Sequence, residues 1–193
     1  MESVAKRGNK PATSRSWCIN TDKNFASKAA DIVGLYLDPP LNTIVLCVDE
    51  KPSIQALERK TGYIKTESGK VIRANKSTYK RHGTFNLFAA LEVSTGTIQG
   101  QVTETKKRND FQAFIDKIVA EYSPDQEIHV VLDNYCTHKN NEELLARNKN
   151  VHFHFTPTSA SWLNQVEIWF GIFSRKALHG ASFASPQELR QRI

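Results

Sequence analysis

Ile44-Val45-Leu46-Cys47-Val48-Asp49 is the stretch on which the fold of this chain turns. Its apolar run is too short for a helix and apolar on both faces, so it reads as a central β-strand covered on either side. Ile128-His129-Val130-Val131-Leu132-Asp133 repeats the pattern further on. In open α/β sheets, a residue just past the end of such a strand points into the crevice where ligands bind. Both runs end on an aspartate. A third acid, Glu167, lies inside Trp162-Leu163-Asn164-Gln165-Val166-Glu167-Ile168-Trp169-Phe170, which reads as an amphipathic helix. Two strand-end carboxylates and one on a helix can converge on divalent cations. That arrangement suits metal-assisted cutting and joining of phosphodiester bonds.

The flanking segments supply the rest of the frame. Residues 1–20 are basic, Ser-rich and aperiodic, and read as a flexible lead-in. Thr21 opens a helix with Phe25, Ala29, Ile32, Val33 and Tyr36 on one stripe, and Asp38-Pro39-Pro40 stops it. Residues 1–40 are therefore expected to be lead-in and linker helix, and 41–193 a single catalytic domain. Residues 50–82 are polar and rich in Lys and Arg. Thr84–Val93 and Thr97–Val102 read as a hairpin about the turn Ser94-Thr95-Gly96. A helix starting at Asn109 or Asp110 buries Phe111, Phe114, Ile115, Ile118 and Val119. Next come a strand over 127–133, a helix around Asn140–Asn148 and a short strand, Val151–Phe155. A long helix over 162–178 follows, capped by Ser161, with Trp162, Val166, Trp169/Phe170, Phe173 and Ala177 on its apolar stripe. This order predicts an α/β fold, a mixed sheet flanked by helices. Ser185-Pro186-Gln187-Glu188 is a capping-box signature, yet only about two turns follow it. So short a helix is marginal alone, and the expectation is a C-terminus cut short.

Composition narrows the function classes. The chain has 193 residues, one domain by length, and a formal charge of +6 that suits a polyanionic partner. Cys18, Cys47 and Cys136 are odd in number and widely spaced, which fits neither a disulfide framework nor a zinc ribbon and favours a reducing cytoplasm. No apolar run approaches the roughly 20 residues that span a bilayer, and no signal-peptide core is present. A Gly-rich phosphate loop and a serine nucleophile elbow are both missing, so ATPase and serine hydrolase readings have no support.

The neighbours of the three acids carry further candidates. Strand alternation points Glu50 away from Asp49, as a supporting or surface residue. Asn134 either orients a carboxylate, water or phosphate, or merely opens a loop. His138 either contacts a phosphate or shuttles a proton, or is an ordinary helix-start residue. Lys51 belongs to a basic region, 51–81, which together with Lys106-Lys107-Arg108 either holds a phosphate backbone or forms a solvated face. Trp162 and Trp169 read as core anchors rather than base-stacking platforms. His152 and His154 share a strand face, but no further ligand pair is spaced for zinc.

Three blocks resemble a known family. They are Leu46-Cys47-Val48-Asp49-Glu50-Lys51, Val131-Leu132-Asp133-Asn134-Tyr135-Cys136-Thr137-His138-Lys139 and Ser161-Trp162-Leu163-Asn164-Gln165-Val166-Glu167. They look like the catalytic blocks of IS630-type transposases, in the Tc1/mariner group of the DDE superfamily, and the 34 positions from Asp133 to Glu167 resemble that group's spacing. The resemblance implies an RNase H-like fold and two Mg²⁺ or Mn²⁺ ions. Asp49 would bridge both ions, with Asp133 and Glu167 each holding one. It implies cleavage of DNA at element ends and attack of the freed 3′-hydroxyl on target DNA, typically at TA, by an oligomer. Glu50, Lys51, Asn134, His138 and Asn164 fall in the same blocks as supporting or DNA-contacting residues. Such proteins carry an N-terminal helix-turn-helix module, and residues 1–40 are too few to hold one beside the helix already assigned. The expectation is a catalytic domain without its sequence-reading module. The competing readings are an inert DNA-binding or oligomerisation remnant and an RNase H-like nuclease that cuts without joining.

Overall fold

The computed structural model describes residues 21–134 and 141–193, apart from the side chains of residue 61 and residues 73–77. Its elements are α1 (Phe25–Leu37), β1 (Thr43–Lys65), β2 (Val71–Glu92), β3 (Ile98–Thr103), α2 (Arg108–Val119), β4 (Glu127–Leu132), α3 (Glu142–Arg147), β5 (Val151–Phe155), α4 (Val166–Phe173) and α5 (Pro186–Arg192). The strands form one mixed sheet in the order β3-β2-β1-β4-β5. β1 pairs antiparallel with β2 and parallel with β4; β2–β3 is antiparallel and β4–β5 parallel.

Alternation along the strands sends side chains into two cores. Val45, Cys47 and Val131 point toward α1, α4 and α5, where Ile32, Leu35, Val166, Phe170, Phe173 and Leu189 meet them. Leu46, Val48, Val130 and Leu132 point the other way, into a core with Phe111, Phe114, Ile115 and Ile118 of α2 and Leu144 of α3. Phe88 anchors that second core, its ring centroid 5.6 Å from Phe114 and 6.4 Å from Phe111.

Two elements depart from the sequence expectation. β1 and β2 run far beyond 43–49 and 84–93, as the two arms of a long hairpin that takes up most of the basic segment. Tyr63, Ile64, Val71, Ile72 and Tyr79 along its outer part are exposed, while Ile54 and Ala56 at its base are buried, so the outer strands satisfy each other's backbone groups without a buried face to print period-two alternation. The ladder slips between Lys51 and Ile54, where Pro52 has no amide to donate and Ser53 takes a φ of 53°. The expected helix over 162–178 is also broken. Ser161–Leu163 is a short 3₁₀ turn, Asn164 is extended, α4 starts at Val166, and Ser174–Leu178 is a π-type turn. Ser161 caps nothing, and Trp162, placed on the buried stripe by helical spacing, is 67% exposed because the break turns it outward. The short final helix forms with the expected cap. Ser185 Oγ accepts from the Glu188 amide at 3.2 Å, and Leu189 is fully buried, so tertiary packing supplies what length does not.

Candidate active site

β1 and β4 lie side by side and parallel, with Cys47 opposite Val131 at the end of their register. Asp49 and Asp133 each follow that last pair by two residues, and the register carried on past the end of β4 would set them opposite one another. Neighbouring strands are about 4.8 Å apart, and directly paired residues project from the same face. That face is the one bearing Val45, Cys47 and Val131, against which α4 packs. Asp49 is 6% exposed, and its Oδ1 accepts from the Glu50 amide at 2.7 Å. Asp133 is half-buried. The turn after it is fixed by Asn134, whose Nδ2 donates to the Thr156 carbonyl, while the Thr156 amide donates to Leu132 O at 2.8 Å.

α4, which carries Glu167, packs on this face. Asn164 is fully buried and its Nδ2 donates to the Val48 carbonyl at 2.9 Å, pinning the turn before α4 to the residue before Asp49. The Glu167 amide then donates to Asn164 O at 3.1 Å. Val166, Phe170 and Phe173 are the buried side of α4, so Glu167, one position off that stripe, is exposed in its first turn. The structure thus puts Asp49 and the helix carrying Glu167 on one side of the sheet, with Asp133 directly after β4 next to β1. It does not draw them into a single cage: among the described residues no three His, Cys, Asp or Glu side chains are gathered to hold an ion.

The other candidates separate by face. Glu50 points to the opposite face, as alternation predicts, with its carboxylate nearly buried 3.5 Å from Lys106 Nζ. Lys51 returns to the α4 face, its Nζ 6.0 Å from the centre of the Phe170 ring. It lines a cleft of about 370 Å³ with Ser53, Gln55, Arg59 and Ser174, so the hairpin base is a basic wall beside the acids. His138 lies outside the described residues. His152 and His154 do share a face: His129 stacks between them, with ring centroids at 4.9 and 5.0 Å.

Sequence reasoning missed two residues at the start of α4. That helix has no side-chain cap of its own. The Tyr36 hydroxyl donates to Leu163 O at 2.7 Å and lies 3.1 Å from Cys47 Sγ. Burial, more than any neighbour, pushes both the Tyr36 phenol and the Cys47 thiol above their ordinary ranges, so both stay protonated. Tyr36 had been placed on an apolar stripe, and only its polar tip signalled a second role.

Comparison with known proteins identifies the family and the fold. A family model described as DDE superfamily endonuclease matches residues 44–190, from β1 into α5 and across all three acids. No curated protein sequence matches the chain. Among solved structures, a chain of the Mos1 strand transfer complex is similar at a TM-score of 0.63 and 14% identity, covering 99% of this chain and 57% of its own length. A chain from the simian T-cell lymphotropic virus intasome in complex with PP2A regulatory subunit B56 gamma is similar at a TM-score of 0.45 and 7% identity, covering 70% of this chain and 45% of its own. The chain spans little more than half the length of the Mos1 chain, and the likeness to it is one of fold, the RNase H-like sheet expected above. With the family match running through Asp49, Asp133 and Glu167, the chain belongs to the DDE superfamily of endonucleases.

Proposed function

We propose that this chain is the catalytic domain of a DNA transposase of the IS630 type within the Tc1/mariner group, cutting DNA at element ends and joining the freed 3′-hydroxyls to target DNA. The observation that supports this reading is the parallel β1–β4 pairing, which Asp49 and Asp133 both follow by two residues, with α4 and its Glu167 packed on the face of Val45, Cys47 and Val131. The donor chemistry fits a hard divalent cation, Mg²⁺ or Mn²⁺. Such ions are held through one or two carboxylates each, with water and phosphate completing the shell, so two ions shared among three acids need no three-carboxylate cage. Asp49 would serve both ions, Asp133 one and Glu167 the other. When bound, the ions lower the pKa of the attacking water or hydroxyl and stabilise the leaving oxygen.

The chain's own residues do the positioning. Asn164 and Asn134 fix the α4 turn and the end of β4, so two of the acids hang from backbone that cannot drift independently. Lys51 and Arg59 in the hairpin-base cleft would take phosphates of the DNA strand leading to the acids. Handling two element ends calls for at least two copies, and the work belongs in the cytoplasm, where such DNA is met. Among the described residues no helix is long and apolar enough to cross a membrane.

Plasmid nicking tests the reading. Supercoiled DNA is incubated with the purified chain in Mg²⁺ and in Mn²⁺, with Asp133→Ala prepared identically. Metal-dependent nicking that vanishes in the variant is expected, and joined products with oligonucleotide ends would separate a transposase from a nuclease that only cuts. Equal cutting by both proteins would refute the assignment.

A further inference from the structure

We infer that Tyr36 of α1 is a positioning residue for Glu167, acting through the turn that starts α4. The inference rests on the metal-site reading above and names a residue outside the span that the family model matches, 44–190. A helix start leaves backbone amides without intrahelical partners, and side chains usually supply them locally. α4 has no side-chain cap, and the turn before it is held from elsewhere. The Tyr36 hydroxyl donates to Leu163 O at 2.7 Å and lies 3.1 Å from Cys47 Sγ. Glu167 follows directly, and its orientation is set by where that turn sits.

α1 is held against the same segment at two further points. Asp22, just before the helix, accepts from the Thr158 amide at 3.0 Å, and Asp31 Oδ2 lies 2.6 Å from His154 Nδ1. α1 is thus fastened to β5, to the loop after it and to the 3₁₀ turn, the run of chain that leads to Glu167. Ile32 and Leu35 give it a buried footing on the sheet. Far from a linker, α1 is the strut that holds the third acid.

Tyr36→Phe keeps the ring and deletes the hydroxyl. Calorimetric Mn²⁺ titration of the full chain, Tyr36→Phe, Glu167→Gln and Ile32→Val tests the inference. Ile32→Val removes one methylene from the core footing of α1 and keeps the Tyr36 hydroxyl, as a control for a general loss of stability. One lost hydrogen bond predicts Mn²⁺ affinity about threefold to tenfold weaker in Tyr36→Phe, with Ile32→Val like the parent. Parent-like affinity in Tyr36→Phe, or equal weakening in Ile32→Val, would overturn it. Amide hydrogen exchange over Val166–Phe170 is measured on the same proteins. If the parent itself binds no Mn²⁺, the metal-site reading fails, and exchange alone decides: faster exchange in Tyr36→Phe only upholds the strut, and unchanged exchange refutes it.

Discussion

Asn164 Nδ2 spans 116 positions of sequence to reach the Val48 carbonyl, and that bond joins the helix carrying Glu167 to the strand carrying Asp49. Asn164→Ala leaves a buried carbonyl unmet and is expected to cost about 1–3 kcal/mol in urea unfolding. Asn164→Asp should cost more, because a carboxylate would face that carbonyl in a fully buried position. Stability unchanged in both variants would show that the bond fixes nothing. At this scale the acids were legible because each interrupts an apolar pattern, and Glu50 was legible because alternation fixes its face. Asn164 could be named from its block, but its partner could not, since nothing local announces a contact between segments so far apart. Trp162 was misread for a related reason: helical spacing assigns it to the core only if the helix is continuous, and the inward pull of Asn164 breaks it.

Strands β4 and β5 carry an imidazole cluster whose consequence is measurable. His129 Nδ1 lies 2.9 Å from His154 Nε2, His154 reaches Asp31 of α1, and His152 Nε2 is 2.6 Å from Glu127 Oε2. Burial first, then the neighbouring His154 and His152, holds His129 below the ordinary imidazole range. A base whose folded pKa is depressed binds its proton more readily when unfolded. Its contribution is therefore complete above the unfolded value near 6.5 and is lost as pH falls toward the folded one. Stability should drop from pH 7 to pH 5, by at most about 1.4 kcal/mol per pH unit from this group. His129→Gln should flatten that slope in urea titrations at several pH values, and identical slopes would contradict the assignment. The spacing of His152 and His154 on one face was legible from the sequence; their meeting with His129 and α1 required the sheet order. The outer part of the long hairpin was illegible for the opposite reason, since a ribbon exposed there on both faces leaves no burial pattern to read.

The whole molecule follows from one sheet and the two layers it separates. A buried strand, a hairpin and two helix-linked strands lead to a mixed sheet, and the crossovers through α2 and α3 make β1, β4 and β5 parallel. That much was readable in advance, except that Asp49 lies inside β1, which runs on to Lys65 instead of ending at the aspartate. The third dimension was less so. An amphipathic stripe on α1 says that it packs but not on which face, and the structure places it beside α4. The layers matter because Asp49 and α4 share a face, while Glu50 is on the other side with Lys106. The central claim is that this shared face binds the catalytic metal. Crystals soaked in Mn²⁺ and examined by anomalous difference density test it most directly. The account predicts a peak at the Asp49–Asp133 edge on the side of Glu167, absent in crystals of Asp133→Ala; manganese held only elsewhere, such as beside Glu50 or the His129 cluster, would contradict it.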